Sequence, residues 1–202
     1  MTKVKFCGMM REEDIKAVNE LGPDYVGFIF APKSRRYISP ETAAAFKKML
    51  RPDIKAVGVF VNADMKDILR LLDEGVIDMA QLHGSEDDEY IKTLKRSSGK
   101  AVIKAFGIGG RKDVLEAVSS PADIILLDTP GGGTGKGFDR KLIADLDIPY
   151  ILAGGLTVDN VSSLITELHP FGVDVSSGIE TDGAKDKDKM KAFMKEIRRE
   201  AK

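Results

Sequence analysis

Short apolar, β-branched runs alternate with longer segments of helical period along this chain, and the alternation repeats eight times. The runs fall at 3–7, 24–30, 54–61, 78–83, 101–106, 123–128, 150–153 and 172–176. Most are nearly continuous in apolar residues rather than alternating with polar ones, which is the pattern of parallel strands covered on both faces. Between them, Met65, Ile68, Leu69 and Leu72 sit at i, i+3, i+4 and i+7, and Met190, Phe193, Met194 and Ile197 repeat that spacing near the end. Both stripes predict helices that turn one face to a core. Weaker helical patterns run through 15–21, 43–50, 90–94, 114–118 and 142–146. Start signals accompany several of them: Ser39-Pro40 sets a cap before a proline at the first helical position, and Ser85-x-x-Asp88 fits a capping box. Thr157 is placed to cap a helix whose apolar positions are Val158, Val161, Leu164 and Leu168.

Eight strand-then-helix units joined by right-handed crossovers are closed most economically as a single (β/α)8 TIM barrel, an α/β fold that leaves no sheet edge exposed. The 202 residues are few for that fold, which typically takes about 250, so the connections must be tight. An open doubly wound sheet is the alternative, but its phosphate fingerprint in the first turn is missing. No linker or low-complexity tract splits the chain, so one domain over 1–202 is expected.

Charge and cysteine content narrow the function classes. With 31 Lys and Arg against 32 Asp and Glu, no global field draws the chain to nucleic acid or an anionic membrane, and any anion must be held locally. One cysteine, Cys7, excludes an internal disulfide, and two histidines without metal-ligand spacing point to no metal. Neither a signal-peptide core nor a long apolar run occurs, so a cytoplasmic protein is expected; nothing selects between monomer and homodimer.

A barrel of this kind carries its active site at the C-terminal ends of the strands. There the chain sets Cys7, His83, Asp128, the pair Gly154-Gly155, and the run from Asp174 through Ser176, Ser177 and Gly178. Asp128 ends an apolar run and opens a glycine-rich loop, where a carboxylate serves either as a turn former or as a reactive group. Cys7 reads either as a small buried hydrophobe or as a base or nucleophile, if its surroundings favour the thiolate. The loops at Gly154-Gly155 and at Ser176-Ser177-Gly178 can offer backbone N–H groups and hydroxyls to a phosphate. Arg35 and Arg36 are either a solvated pair or a clamp for a carboxylate. His83 is a pocket contact or a structural histidine, and His169 reads as structural. The loop 131–137 fits no nucleotide motif, because Pro130 and Gly137 break a phosphate-loop pattern; its glycines suit a mobile cover.

Seven segments in register extend the picture: Val4-Lys5-Phe6-Cys7-Gly8, Pro32-Lys33-Ser34-Arg35-Arg36-Tyr37-Ile38, Val57-Gly58-Val59-Phe60-Val61-Asn62, Gln81-Leu82-His83-Gly84, Leu126-Leu127-Asp128, Ala153-Gly154-Gly155-Leu156 and Val173-Asp174-Val175-Ser176-Ser177-Gly178. Together they resemble the phosphoribosylanthranilate isomerase family of tryptophan biosynthesis, along essentially the whole chain. The resemblance implies an Amadori rearrangement of a small phosphoribosyl substrate, without metal or organic cofactor. It implies Asp128 as general acid and Cys7 as general base. Gly155, Ser176, Ser177 and Gly178 would hold the phosphate and Arg36 the anthranilate carboxylate, with His83 and Asp174 assigned only to the pocket. The chain departs from the family pattern at 129–137 and at Phe6, where Ile is common; neither change touches a named catalytic position. Two other readings stand beside this one. A related aminoaldose–aminoketose isomerase of histidine biosynthesis would carry Asp in place of Cys7, and a non-catalytic phosphosugar-binding barrel would have no use for Cys7 facing Asp128.

Overall fold

The computed structural model describes residues 1–131 and 137–199. Eight parallel strands, β1 (Lys3–Cys7), β2 (Tyr25–Ile29), β3 (Lys55–Phe60), β4 (Met79–Leu82), β5 (Val102–Gly107), β6 (Ile124–Asp128), β7 (Tyr150–Leu152) and β8 (Gly172–Val175), pair in sequence order and close into a barrel. Closure is made by β8 against β1, in a register that sets Lys5 beside Asp174. The open-sheet alternative is thereby excluded.

Side chains alternate between the two faces of each strand, and the barrel accordingly has two cores. Val57, Met79, Ile103, Leu126 and Ile151 form a small cluster inside it, with Ala105 and Ala153 above. The larger cluster lies between strands and helices and includes Phe6, Val26, Phe28, Leu127 and Leu152. The helices are α1 (Glu12–Leu21), α2 (Pro40–Met49), α3 (Met65–Asp73), α4 (Asp88–Ser98), α5 (Arg111–Ser119), α6 (Val161–Leu168) and α7 (Lys187–Arg199). The second of the two predicted stripes is fully buried on α7, where Phe193 meets Phe6 edge-on at 6.2 Å between ring centroids. No helix among the described residues is long and apolar enough to cross a membrane.

Helix starts agree with the sequence in one case and differ in two. Ser39 caps α2, accepting from Thr42 N with Pro40 at the first position. The α4 cap is Asp87 rather than Ser85, because Asp87 accepts from Tyr90 N while Ser85 donates from its backbone N and its hydroxyl to Asn62 Oδ1. The α6 helix starts later than Thr157 suggested: residues 157–160 form a turn, and Asn160 Oδ1 accepts from Thr157 N while Nδ2 donates to Gly155 O. The helix expected over 142–146 is a single 3₁₀ turn, Arg140–Ile143. Pro149 stands immediately before β7 and biases Ile148 away from helical backbone, leaving no room to propagate. Part of the expected covering loop, residues 132–136, lies outside the described residues.

One element has no counterpart in the eight-unit reading. Strands β9 (Glu180–Thr181) and β10 (Ala184–Lys185) form an antiparallel hairpin between β8 and α7. Its two-residue turn, Asp182-Gly183, has φ of +51° and +81°, the left-handed pair that such a tight hairpin demands and that Asp-Gly supplies at low cost.

Candidate active site

A cavity of about 900 Å³ opens at the C-terminal ends of the strands. Cys7, Arg36, His83, Asp128, Gly154, Gly155, Asp174, Ser176, Ser177 and Gly178 all line it. Residues named separately on the sequence are therefore brought to one space by barrel closure.

On the β1–β8 side, buried Lys5 forms an ion pair with half-buried Asp174, Lys5 Nζ lying 3.0 and 3.1 Å from the two carboxylate oxygens. Lys5 Nζ and Cys7 Sγ, two residues apart on the same face of β1, both flank Gly27, which brings the ammonium charge close to the thiol. Burial pushes the Cys7 thiol up from its ordinary value, and the Lys5 ammonium opposes that rise without cancelling it. Burial works against the Lys5 charge as well, but Asp174 and Cys7 outweigh it and hold the ammonium charged. The thiol has room only because residue 27 is glycine: a Cβ there would lie 2.7 Å from Cys7 Sγ.

Across the barrel, Asp128 is also buried. Its Oδ1 accepts from Thr129 N at 2.7 Å, and its Oδ2 lies 3.5 Å from His83 Nε2. His83 Nδ1 in turn lies 3.0 Å from Gln81 Nε2, whose Oε1 is buried without a hydrogen-bond partner among the described residues. Among the described residues, the Asp128 carboxylate is thus tethered by one backbone N–H and faces one imidazole. Arg140 donates to the carbonyls of Ala153 and Gly154, with its guanidinium 4.0 Å over the Phe138 ring. Burial lowers the Arg140 pKa, and the charge of Asp128 opposes that fall.

The β7 and β8 loops meet beside these groups. Gly154 and Gly155 have φ of +76° and +67°, left-handed backbone that favours glycine. A Cβ at Gly178 would collide with the Leu156 carbonyl oxygen, so the 3₁₀ turn Ser177–Ile179 can approach the β7 loop only with glycine there. The Ser176 hydroxyl is committed to the protein, donating to Cys7 O at 3.0 Å and accepting from Lys185 Nζ at 3.1 Å.

Arg36 is buried at the cavity wall. Its Nε and Nη2 donate to Glu180 Oε1 and Oε2 at 2.6 and 3.0 Å. Arg35, more than half exposed, donates to the same carboxylate from outside at 2.7 Å. Of the adjacent arginines, one is thus the solvated residue and the other faces the site.

Four residues of this arrangement carried no functional reading in the sequence: Lys5, Arg140, Glu180 and Lys185. Lys5 had a usable signal, since it lies two positions before Cys7 on one face of a strand. The others sit outside the eight barrel strands, and no periodicity marks them.

A family model described as N-(5'phosphoribosyl)anthranilate (PRA) isomerase matches residues 4–196. The N-(5'-phosphoribosyl)anthranilate isomerase of Endomicrobium trichonymphae is 43% identical over 202 residues, covering 98% of this chain and 99% of its own. Among solved structures, the phosphoribosyl anthranilate isomerase of Thermus thermophilus superposes with a TM-score of 0.89 at 35% identity, over 98% of this chain and 99% of that one. A phosphoribosyl anthranilate isomerase in complex with reduced 1-(o-carboxyphenylamino)-1-deoxyribulose 5-phosphate gives 0.88 at 40% identity, with the same coverage. Matched along nearly its whole length in both sequence and fold, the chain belongs to the N-(5'-phosphoribosyl)anthranilate isomerase family.

Proposed function

We propose that this chain, acting as one barrel domain, catalyses its family's isomerisation in tryptophan biosynthesis with Asp128 as the acid and Cys7 as the base. The substrate is N-(5′-phosphoribosyl)anthranilate, and the product is 1-(o-carboxyphenylamino)-1-deoxyribulose 5-phosphate. What carries the reading is that the Asp128 carboxyl and the Cys7 thiol, from β6 and β1, line one cavity with Arg36 and the β7 and β8 loops.

Asp128 donates a proton to the furanose ring oxygen, the bond from that oxygen to C1′ breaks, and the anthranilate nitrogen supplies the electrons that form a cationic Schiff base. Cys7 then removes the proton at C2′. The electrons of that C–H bond form the C1′=C2′ double bond of an enolamine, which tautomerises to the aminoketose. The base is demanding, because burial favours the thiol over the thiolate. Two features compensate: the Schiff base acidifies the C2′ proton, and the Lys5 ammonium stabilises the thiolate. The Gly154-Gly155 loop and the Ser176–Gly178 run hold the phosphate, with the Ser176 hydroxyl serving the loop itself while Ser177 and the glycine backbone face the ligand. Arg36 takes the anthranilate carboxylate, and His83 and Asp174 complete the pocket.

The histidine-pathway isomerase is not favoured, since Cys7 stands where that reading expects Asp and the family match lies elsewhere. A binding-only barrel would leave a buried thiol and a buried carboxylate in one cavity without purpose.

Loss of phosphoribosylanthranilate fluorescence on adding the purified protein is the direct assay. Cys7→Ala and Asp128→Asn are each expected to lower kcat by about 10²-fold or more. Absence of turnover in the unsubstituted protein, or full turnover in both variants, defeats the assignment. Ser177→Asp is expected to raise KM by repelling the phosphate; an unchanged KM removes the β8 loop from phosphate binding.

A further inference from the structure

Next to the cavity wall, Glu180 holds Arg36 and is the carboxylate with the most cationic partners among the described residues. Its side chain is 4% exposed, yet three cations converge on it: Arg36 at 2.6 and 3.0 Å, Lys185 at 2.7 Å and Arg35 at 2.7 Å. One partner suffices to neutralise a buried carboxylate. Three leave the corner with surplus positive charge, which suits an anionic ligand rather than a purely structural pair.

The geometry of the Arg36 contact matters more than its strength. A guanidinium offers two forks, one through Nε and one amino group, the other through both terminal amino groups. Glu180 occupies the first of these, through Nε and Nη2. Among the described residues no hydrogen bond takes the second fork, Nη1 with the outward N–H of Nη2, which can meet a second carboxylate bidentately. Rotation of the guanidinium is blocked by the two bonds to Glu180, and the side chain threads past Gly8, where a Cβ would strike Arg36 Cδ. Glu180 is itself fixed: it belongs to β9, Lys189 Nζ donates to its carbonyl at 2.7 Å, and Lys185 lies across the hairpin in register with it.

We propose that Glu180 is a positioning residue that turns the free fork of Arg36 to the substrate, and that the enzyme's preference for an aromatic amine bearing an ortho carboxylate depends on it. The proposal rests on the reading of Arg36 as the carboxylate site. Lys185 extends the same network to the base, because it donates to Ser176 O at 2.9 Å and to Ser176 Oγ, which donates to Cys7 O. The hairpin therefore sets both the carboxylate end of the pocket and the strand end that carries the thiol.

The experiment compares two substrates, phosphoribosylanthranilate and the analogue made by condensing aniline with ribose 5-phosphate, which lacks the carboxylate. Steady-state rates are measured for the unsubstituted protein, Glu180→Gln and Arg36→Met. Glu180→Gln is expected to raise KM for the carboxylated substrate by about tenfold, with a much smaller change in kcat, and to shrink the KM ratio between the two substrates correspondingly. Arg36→Met is expected to abolish the preference altogether. If Glu180→Gln weakens both substrates equally, or neither, while Arg36→Met abolishes the preference, the role of Glu180 is refuted and that of Arg36 survives. If Arg36→Met retains the preference, the carboxylate site itself lies elsewhere and both readings fall. Should Glu180→Gln not fold, Glu180→Asp keeps the charge but withdraws it by one methylene, and must show the same skew between substrates.

Discussion

Replacing Gly154 with alanine perturbs the site through a single methyl group. Gly154 has φ of +76°, and an alanine held there costs about 1–2 kcal/mol in left-handed backbone strain. The added Cβ would also press on Thr129 Oγ1, lie 2.8 Å from Asp128 Oδ1 and 2.9 Å from Thr129 N. Those are the two partners of the 2.7 Å bond that tethers the acid. Relief of the clash by rotating Asp128 off its rotamer adds about 0.5–1.5 kcal/mol. The summed loss of about 1.5–3.5 kcal/mol lowers Tm by roughly 3–14 °C for a chain of this size, which calorimetry or thermal circular dichroism reads directly. Activity is expected to fall further than stability implies, since a displacement of about 1 Å at a catalytic group costs about 10²-fold in rate. Gly154→Asn separates the two effects: asparagine tolerates the left-handed region but keeps the Cβ, so Tm recovers in part and kcat does not. A Gly154→Ala protein that melts lower but keeps kcat within about twofold refutes the link between this methyl and the acid. An unchanged Tm refutes the backbone strain.

Two other perturbations follow from the buried charges. Burial raises the Cys7 pKa and Lys5 counters it, so kcat/KM is expected to climb with pH on the alkaline side as the thiolate forms. Lys5→Met removes the counterweight and moves that limb to still higher pH; a limb that stays in place, or moves down, contradicts the assignment of Lys5. Lys104 and Glu86 form a further buried pair at 3.0 Å, and Glu86 also accepts from Asn62 N and Gly84 N at 2.7 and 2.9 Å. Lys104→Met strands that carboxylate and is expected to cost about 3–5 kcal/mol in urea unfolding. Adding Glu86→Gln to it should recover part of the loss, and a double variant less stable than the single one contradicts the pairing.

The alternation of apolar runs and helical stripes was sufficient to read eight strands and the closed barrel, because both periods are local properties of the chain. Strand ends were legible too. Cys7 and Asp128 each terminate an apolar run, and the C-terminal rim of a barrel gathers such termini whatever lies between them. Helix starts were less legible where several polar residues stood close together: Ser85 and Thr157 have capping chemistry, but Asp87 caps α4, and α6 begins after Asn160, whose side chain bonds the preceding turn instead of capping the helix. The stripe at 142–146 suggested a helix, and the nearness of Pro149 and β7 reduced it to one turn.

What the sequence alone determined, then, was the number and order of the units and which residues stand at the rim. Tertiary structure decided how those residues are held. Lys5 meets Asp174 across 169 positions of sequence, and Arg36 meets Glu180 across 144. No local period relates such pairs. They exist because closing β8 onto β1 brings the two ends of the chain together, and because the Asp182-Gly183 hairpin then folds Glu180 and Lys185 back over the seam. The proposed reacting groups are inherited from the pattern, while their electrostatics come from contacts that only the closed barrel makes.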